Sequence, residues 1–127
     1  MSMEIGILCC SAVPGLSALI QAVQTGLVAA EIKIVIADRD SEALRLAREA
    51  GLYGAFIPRA AFHANRDGFE RRLAEVFREA GAAIVVLADY EREVGPVLNE
   101  AFPQNIFGQG LTPDELVCDL ANRFQAS

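Results

Sequence analysis

The sequence holds no tryptophan, one histidine, three cysteines and two tyrosines among its 127 residues. A lone histidine and scattered cysteines exclude a tetrahedral zinc site, which needs four clustered nitrogen or sulfur ligands. Three thiols cannot all pair, and neighbours in a strand point to opposite faces, so Cys9 and Cys10 are held apart. Together with Cys118 they read as small hydrophobes of a reducing compartment, not as a disulfide framework. No apolar run reaches about eighteen residues, because charges recur throughout, so no membrane span is expected. The opening Met1-Ser2-Met3-Glu4 lacks the basic region and apolar stretch of a signal peptide. Positive charge is also short: eleven Lys and Arg face seventeen Asp and Glu, a net charge of −6. That balance argues against a nucleic-acid backbone as the main partner.

What is present suits one domain spanning residues 1–127, of a soluble, acidic, cytoplasmic α/β type. Apolar residues make up 53% of the chain and aromatics 7%, so Ala, Val, Leu and Ile do most of the packing. The mean hydropathy of +0.30 is high for so small a domain. Apolar surface covered by a partner, most simply a second copy in a homo-oligomer, is therefore expected.

Strand and helix patterns alternate strictly. Ile5 to Cys10 is a short apolar run, and Pro14 to Thr25 carries Leu16, Leu19, Ile20 and Val23 at helical spacing before the stop at Gly26. Ile32 to Ala37 reads as a strand buried on both faces. Asp40 or Ser41 caps the next helix, with Leu44, Ala47 and Ala50 inward and Gly51 at its end. Ala55 to Pro58 is a weaker strand, and Asn65 or Asp67 opens an amphipathic helix carrying Phe69, Leu73, Val76, Phe77 and Ala80. Ala83 to Ala88 is apolar throughout and reads as a central strand. Gly95-Pro96 starts a short helix to Phe102, and Ile106-Phe107 is a stub of strand. Thr112, Pro113 and Glu115 form a capping box for a last helix with Leu116, Leu120 and Phe124 inward. Such alternation predicts a three-layer α/β/α sandwich with a mostly parallel, five-stranded, Rossmann-like sheet and right-handed crossovers.

In such a sheet, ligands bind beyond the carboxyl ends of the strands. The rule selects Cys10 to Gly15, Asp38-Arg39-Asp40, Asp89 to Glu93, and Phe107-Gly108-Gln109-Gly110. The first segment has no G-x-G-x-x-G or Walker pattern, and Pro14 removes an N–H, though a following helix N-terminus leaves room for weak anion binding. Without those glycines Asp38 reads as a turn residue near a helix cap rather than as the ribose-binding acid of an NAD site. Cys10 and His63 lie in different loops and read as ordinary residues rather than as a nucleophile and its base. Asp38, Asp89, Glu91 and Glu93 offer oxygen ligands for Mg²⁺, but the Glu-Arg-Glu pattern favours a solvated loop with local ion pairs, so no metal is expected.

Taken in order, these segments resemble the N-terminal half of the glycinamide ribonucleotide formyltransferase family, from about Ile5 to Ile106. The resemblance is carried by Leu16 with Ala18-Leu19-Ile20-Gln21-Ala22, by Ile34-Val35-Ile36-Ala37, and by Ala43 to Gly51. Phe62 with Phe69-Glu70-Arg71-Arg72-Leu73 continues it. Ile84-Val85-Val86-Leu87-Ala88, followed by Arg92, Pro96 and Asn105-Ile106, is its most specific part. The resemblance implies a formyltransferase-like fold and, where activity is kept, 10-formyltetrahydrofolate as donor. It assigns the phosphate loop to Ser11, Ala12, Val13, Pro14 and Gly15, and the folate loop to Asp89, Tyr90, Glu91, Arg92, Glu93 and Val94. Asn105 matches the family's catalytic Asn.

Departures are equally plain. The family's phosphate-loop glycines are gone, an acid stands at a folate-loop glycine, Phe107 occupies the position of the catalytic His, and no residue matches the catalytic Asp. The segment after that His is missing, and Leu111 to Leu116 resembles a late family helix. Asn105 alone can polarise a formyl oxygen, but nothing is placed to manage the amine proton. The leading expectation is a domain that has kept the fold and lost formyl transfer, and that binds a small anionic or nucleotide-like ligand or another protein. A second is a formyltransferase or related folate enzyme with a rearranged site completed across a dimer, motivated by Arg92 and Asn105. A third is a structural or regulatory dimerisation module.

Overall fold

The computed structural model describes residues 3–125; Met1 and Ser2 of the opening segment, and Ala126 and Ser127, lie outside the described residues. The chain runs β1 (Met3–Cys9), α1 (Pro14–Gln24), β2 (Ala30–Ala37), α2 (Glu42–Glu49), β3 (Gly54–Phe56), α3 (Arg66–Glu79), β4 (Ile84–Leu87), α4 (Pro96–Ala101), β5 (Ile106–Phe107) and α5 (Pro113–Arg123). A short 3-10 turn, Arg59–Phe62, leads from β3 towards α3. The strands pair in the order β3-β2-β1-β4-β5, and every pairing is parallel, so the sheet is wholly rather than mostly parallel.

Period-two alternation sends side chains of each strand to two separate cores. Ile5, Ile7 and Cys9 of β1, with Val35, Val86 and Ala88, meet Leu16, Leu19, Leu44 and Leu120 beneath α1, α2 and α5. Leu8, Ile34, Ile36, Val85 and Leu87 face Phe69, Leu73, Phe77 and Leu98 beneath α3 and α4. β1 and β4 are central, as their unbroken apolar runs imply. In β2, burial on both faces begins only at Ile34, because Glu31 is exposed and Ile32 and Lys33 are half-buried.

Helix ends follow local chemistry. Gly26, Gly51 and Gly81 follow α1, α2 and α3 in left-handed conformations with φ of 83°, 78° and 85°. Asn65 caps α3 by accepting from the Gly68 N–H at 3.0 Å, and Thr112 with Glu115 closes the expected capping box on α5. Ser41 stands at the N-cap of α2, yet its hydroxyl donates to the Cys10 carbonyl at 3.1 Å, tying two loops together instead of capping. Among the described residues no helix is long and apolar enough to cross a membrane.

Candidate functional site

The carboxyl ends of β1, β2 and β4 bring together Cys10 to Gly15, Asp38 and Asp89 to Glu91, as the topology requires. The start of α1 has no local cap, since Val13 stands at its N-cap and Pro14 at its first position. The Gly15 and Leu16 N–H groups donate instead to Oδ2 of Asp89, at 2.7 and 3.2 Å. Asp89 adopts a left-handed backbone, φ 57°, at the position where the resemblance places a family glycine. Its carboxylate lies so close that a Cβ on Gly15 would come within 2.9 Å of both oxygens. Left-handed backbone costs an aspartate on the order of 1 to 2 kcal/mol. Two charge-assisted hydrogen bonds contribute about 1.5 to 3 kcal/mol each, and the helix dipole about 0.3 to 1 more, so the bridge prevails. The segment 11–15 thus does hold an anion, and the anion belongs to the protein. Of the others in that segment, Ser11 accepts from Arg39 Nη1 at 3.5 Å, Ala12 is exposed, and Val13 packs on the core beneath α1.

Asp38 lies in the bend between β2 and the N-cap of α2, as expected of a turn residue near a helix cap, but it does more than turn the chain. It is buried, and its Oδ2 accepts from Arg59 Nε at 2.8 Å. The Arg59 guanidinium also hydrogen-bonds the Tyr90 hydroxyl and stacks on Phe69, with its carbon 4.5 Å from the ring centroid. Tyr90 lies 5.2 Å away on the same measure. Arg59 therefore reaches from the end of β3 to the ends of β2 and β4, across the crevice above β1. Arg39 runs a second strut over the same ground, from Ser11 to Glu91 at 3.2 Å. Two of the loop's acids are accordingly bound to distant partners, in place of the local ion pairs expected; Glu91 and Glu93 are exposed.

Neither thiol at the end of β1 is built as a nucleophile. Burial first, then the neighbouring Cys10, Asp38 and Asp89, push Cys9 up to about 12. Burial also raises Cys10, whose Sγ lies 3.5 Å from Asp38 Oδ2. His63 is exposed on the loop before α3, with φ 49°. Among the described residues no group of three His, Cys, Asp or Glu side chains is arranged to hold a metal ion.

The folate-loop segment is fixed from beneath by a residue that sequence reasoning missed as functional. Glu70 of α3 is buried and accepts from the Gly95 and Leu98 N–H groups at 2.6 and 3.0 Å, so it caps α4 from another helix. Gln109 clamps the same loop, accepting from the Val94 N–H and donating to the Arg92 carbonyl. Beside this loop, Arg59, Asn65, Arg66, Phe69 and Arg92 line a cavity of about 350 Å³ at the N-terminus of α3. Neither Arg66 nor Arg92 has a carboxylate partner among the described residues. Here three arginines converge, of which Arg59 is paired with Asp38.

Asn105 lies elsewhere. It precedes β5 and is exposed, and its carbonyl accepts from Val85 N–H in the first half of β4, so it sits at the amino end of its strand. It does not join Cys10, Asp38 and Asp89 in the crevice. Phe107, at the position of the family's His, is absorbed by α5: its ring meets Phe124 edge-on at 6.1 Å, and Arg123 stacks on it at 4.6 Å.

The fold is that of a formyltransferase-type, Rossmann-like α/β domain. No family model matches the chain, and no curated protein matches its sequence. Its likeness in solved structures is to the N-terminal half of glycinamide ribonucleotide formyltransferases. Glycinamide ribonucleotide transformylase 1 from Symbiobacterium toebii superposes with a TM-score of 0.78 and 32% identity, over 83% of this chain and 50% of that one. Phosphoribosylglycinamide formyltransferase from Coxiella burnetii gives 0.75 and 29%, over 84% and 50%. A formyltetrahydrofolate deformylase from Pseudomonas putida KT2440 shares the fold, with a TM-score of 0.74 at 20% identity, over 84% and 37%. The chain spans about half the length of these two formyltransferases.

Proposed function

We propose that this chain is a cytoplasmic formyltransferase-like domain that binds a small anionic ligand and does not transfer a formyl group to glycinamide ribonucleotide. The observation that carries the reading is the Asp89 carboxylate on the N-terminus of α1. A substrate phosphate needs those N–H groups, and here it would have to displace a tethered anion that is always present. Proton handling has a separate obstacle: Phe107, at the position of the family's His, neither donates nor accepts.

10-Formyltetrahydrofolate fits the loop poorly. Tyr90 is engaged by Arg59, and Asp89 is turned to α1, so the side chains that would flank a flat heterocycle are already committed. The ligand site that this reading favours is the arginine-lined cavity at the start of α3, where the guanidinium groups of Arg59, Arg66 and Arg92 converge. Self-association belongs to the same proposal. Its support is the mean hydropathy of +0.30 and an apolar groove of about 540 Å³ between α1 and α5, with Leu27 exposed beside it.

Purified protein supplied with glycinamide ribonucleotide and 10-formyltetrahydrofolate is expected to show no transfer. Turnover that Asn105→Ala abolishes would overturn the reading in favour of an active enzyme with a rearranged site. Calorimetric heat on adding the folate, at concentrations where small anions give none, would do the same. Light scattering that finds a monomer at assay concentration removes the self-association.

A further inference from the structure

From Ile5 to Ala30 the sequence carries no charged residue, although 22% of the chain is charged. Burial accounts for this in β1 but not in α1. Pro14, Ser17, Gln21 and Gln24 are exposed, at the spacing of one outward helix face. On a surface helix that face ordinarily holds charged side chains. Among the described residues α1 is the one helix of five with no charge along it.

α1 also lies in the middle of its layer. Leu46 and Ala50 of α2 flank it across a groove of about 410 Å³, and Val117 and Ala121 of α5 across the groove of about 540 Å³. Gln21 borders both grooves, so it marks the centre of the face. Charge enters at the rims, with Glu49 on α2 and Asp114 on α5. Leu27, 57% exposed just beyond the end of α1, adds an apolar knob beside the larger groove. An uncharged centre with a charged margin is the anatomy of an interface between proteins.

Charge also selects the occupant. A cationic partner would be drawn to the acids elsewhere on a chain whose net charge is −6. A second copy brings the same net charge, and it meets least repulsion where neither copy is charged. A twofold pairing needs one patch that fits itself, and here knob and groove lie side by side. Crossing α1 on α1 in opposite directions at Gln21 carries Leu27 of each copy towards Ala18, in the groove of the other.

Resting on the reading that the chain self-associates, we propose that two copies pair isologously through α1, about a twofold axis at Gln21, with Leu27 of each seated in the α1–α5 groove of the other. The axis sets the two Gln21 side chains opposite each other, where their amides exchange hydrogen bonds, and leaves Glu49 and Asp114 at the margins.

The test is sedimentation equilibrium of the full chain and of variants on this face. The wild type is expected to be a dimer. Gln21→Glu sets two carboxylates against each other across the axis and should weaken it by about a hundredfold, and Gln21→Arg likewise. Mixed in equal amounts, the two variants should recover a heterodimer, because opposite charges then meet. Leu27→Ala should weaken the dimer by about tenfold, since the interface buries that side chain twice. Both positions are exposed, so the circular dichroism of the variants should match the wild type. Added salt should strengthen the dimer by screening the repulsion between two acidic copies. A wild-type dimer that neither Gln21 variant weakens, or that salt dissolves, overturns the α1 face and leaves self-association standing. A mixture that stays monomeric overturns the twofold at Gln21. A monomeric wild type overturns self-association together with the inference, and leaves the face to a different protein.

Discussion

Two helix N-termini of this domain solve one physical problem in opposite ways. α5 begins with its own cap: the Thr112 hydroxyl accepts from Glu115 N–H at 3.2 Å, and Glu115 returns to Thr112 N–H at 3.0 Å. α1 begins with Val13 and Pro14, which offer nothing, and imports Asp89 from the end of β4. α4 resembles α1, because its two N-terminal N–H groups are satisfied by Glu70 of α3. A helix that caps itself needs only its own sequence. A helix capped from a distance reports what its neighbours were shaped to do. In an open parallel sheet the N-termini at the carboxyl edge are where an external anion would bind. At two of them this chain has supplied the anion itself.

The sharpest way to break this comparison is at the most buried cap. Glu70→Ala leaves the Gly95 and Leu98 N–H groups without an acceptor, and each such group costs about 1 to 3 kcal/mol. A loss of about 3 kcal/mol in urea unfolding is expected, with Glu70→Gln losing less because one acceptor oxygen remains. A loss no greater than that of an exposed local cap would mean that α4 does not depend on its imported carboxylate.

Asp89 comes next, and two substitutions divide its effect. Asp89→Ala loses both hydrogen bonds and keeps the left-handed backbone at φ 57°, but water reaches the part-buried N–H groups, so about 2 kcal/mol of stability should go, less than the two bonds contribute. Asp89→Gly loses the same bonds and relieves the strained backbone, so it should be more stable than the alanine variant by about 1 kcal/mol. Only the glycine variant pairs a vacated helix terminus with an unstrained loop. Sulfate is expected to raise its melting temperature by more than it raises that of the wild type, whose α1 terminus is already occupied by Asp89. Equal responses to sulfate would show that Asp89 is not what keeps anions from α1.

The distance between partners also decides what the sequence discloses. Strand runs such as Ile84 to Leu87, the helix stops at Gly26, Gly51 and Gly81, and the Thr112 box are legible because all their physics lies within a few residues. The resemblance that those runs carry led to the right scaffold, and it singled out position 89 as an acid in place of a glycine. It did not say where the acid would point, since Gly15 lies 74 residues away. Asp38 with Arg59 and Glu70 with Gly95, 21 and 25 residues apart, leave no local pattern at all. Arg59 had only one hint, its place just beyond Pro58 at the end of a weak strand. Asn105 was placed by likeness, and the register of β5 sets it at the amino end of the sheet, away from the crevice.

The smallest effect belongs to the self-capped helix, and pH distinguishes it from the others. Thr112→Ala should cost about 1 kcal/mol, the usual worth of an exposed N-cap. Glu115 is held below its ordinary value of 4.5 by the Thr112 N–H and then by the Thr112 side chain. A carboxyl lowered on folding contributes stability that is present above its unfolded value and is lost as pH falls through its folded value. As pH falls from neutral to below 4.5 the wild type should therefore surrender the box contribution, and the gap between wild type and Thr112→Ala should narrow. Melting temperatures of the two proteins across that range measure it, with Glu115→Gln as the variant that removes the titration and leaves the hydroxyl cap. A gap that widens on acidification would place the Glu115 proton outside the box, and the contrast between a self-made cap and a borrowed one would lose its electrostatic basis.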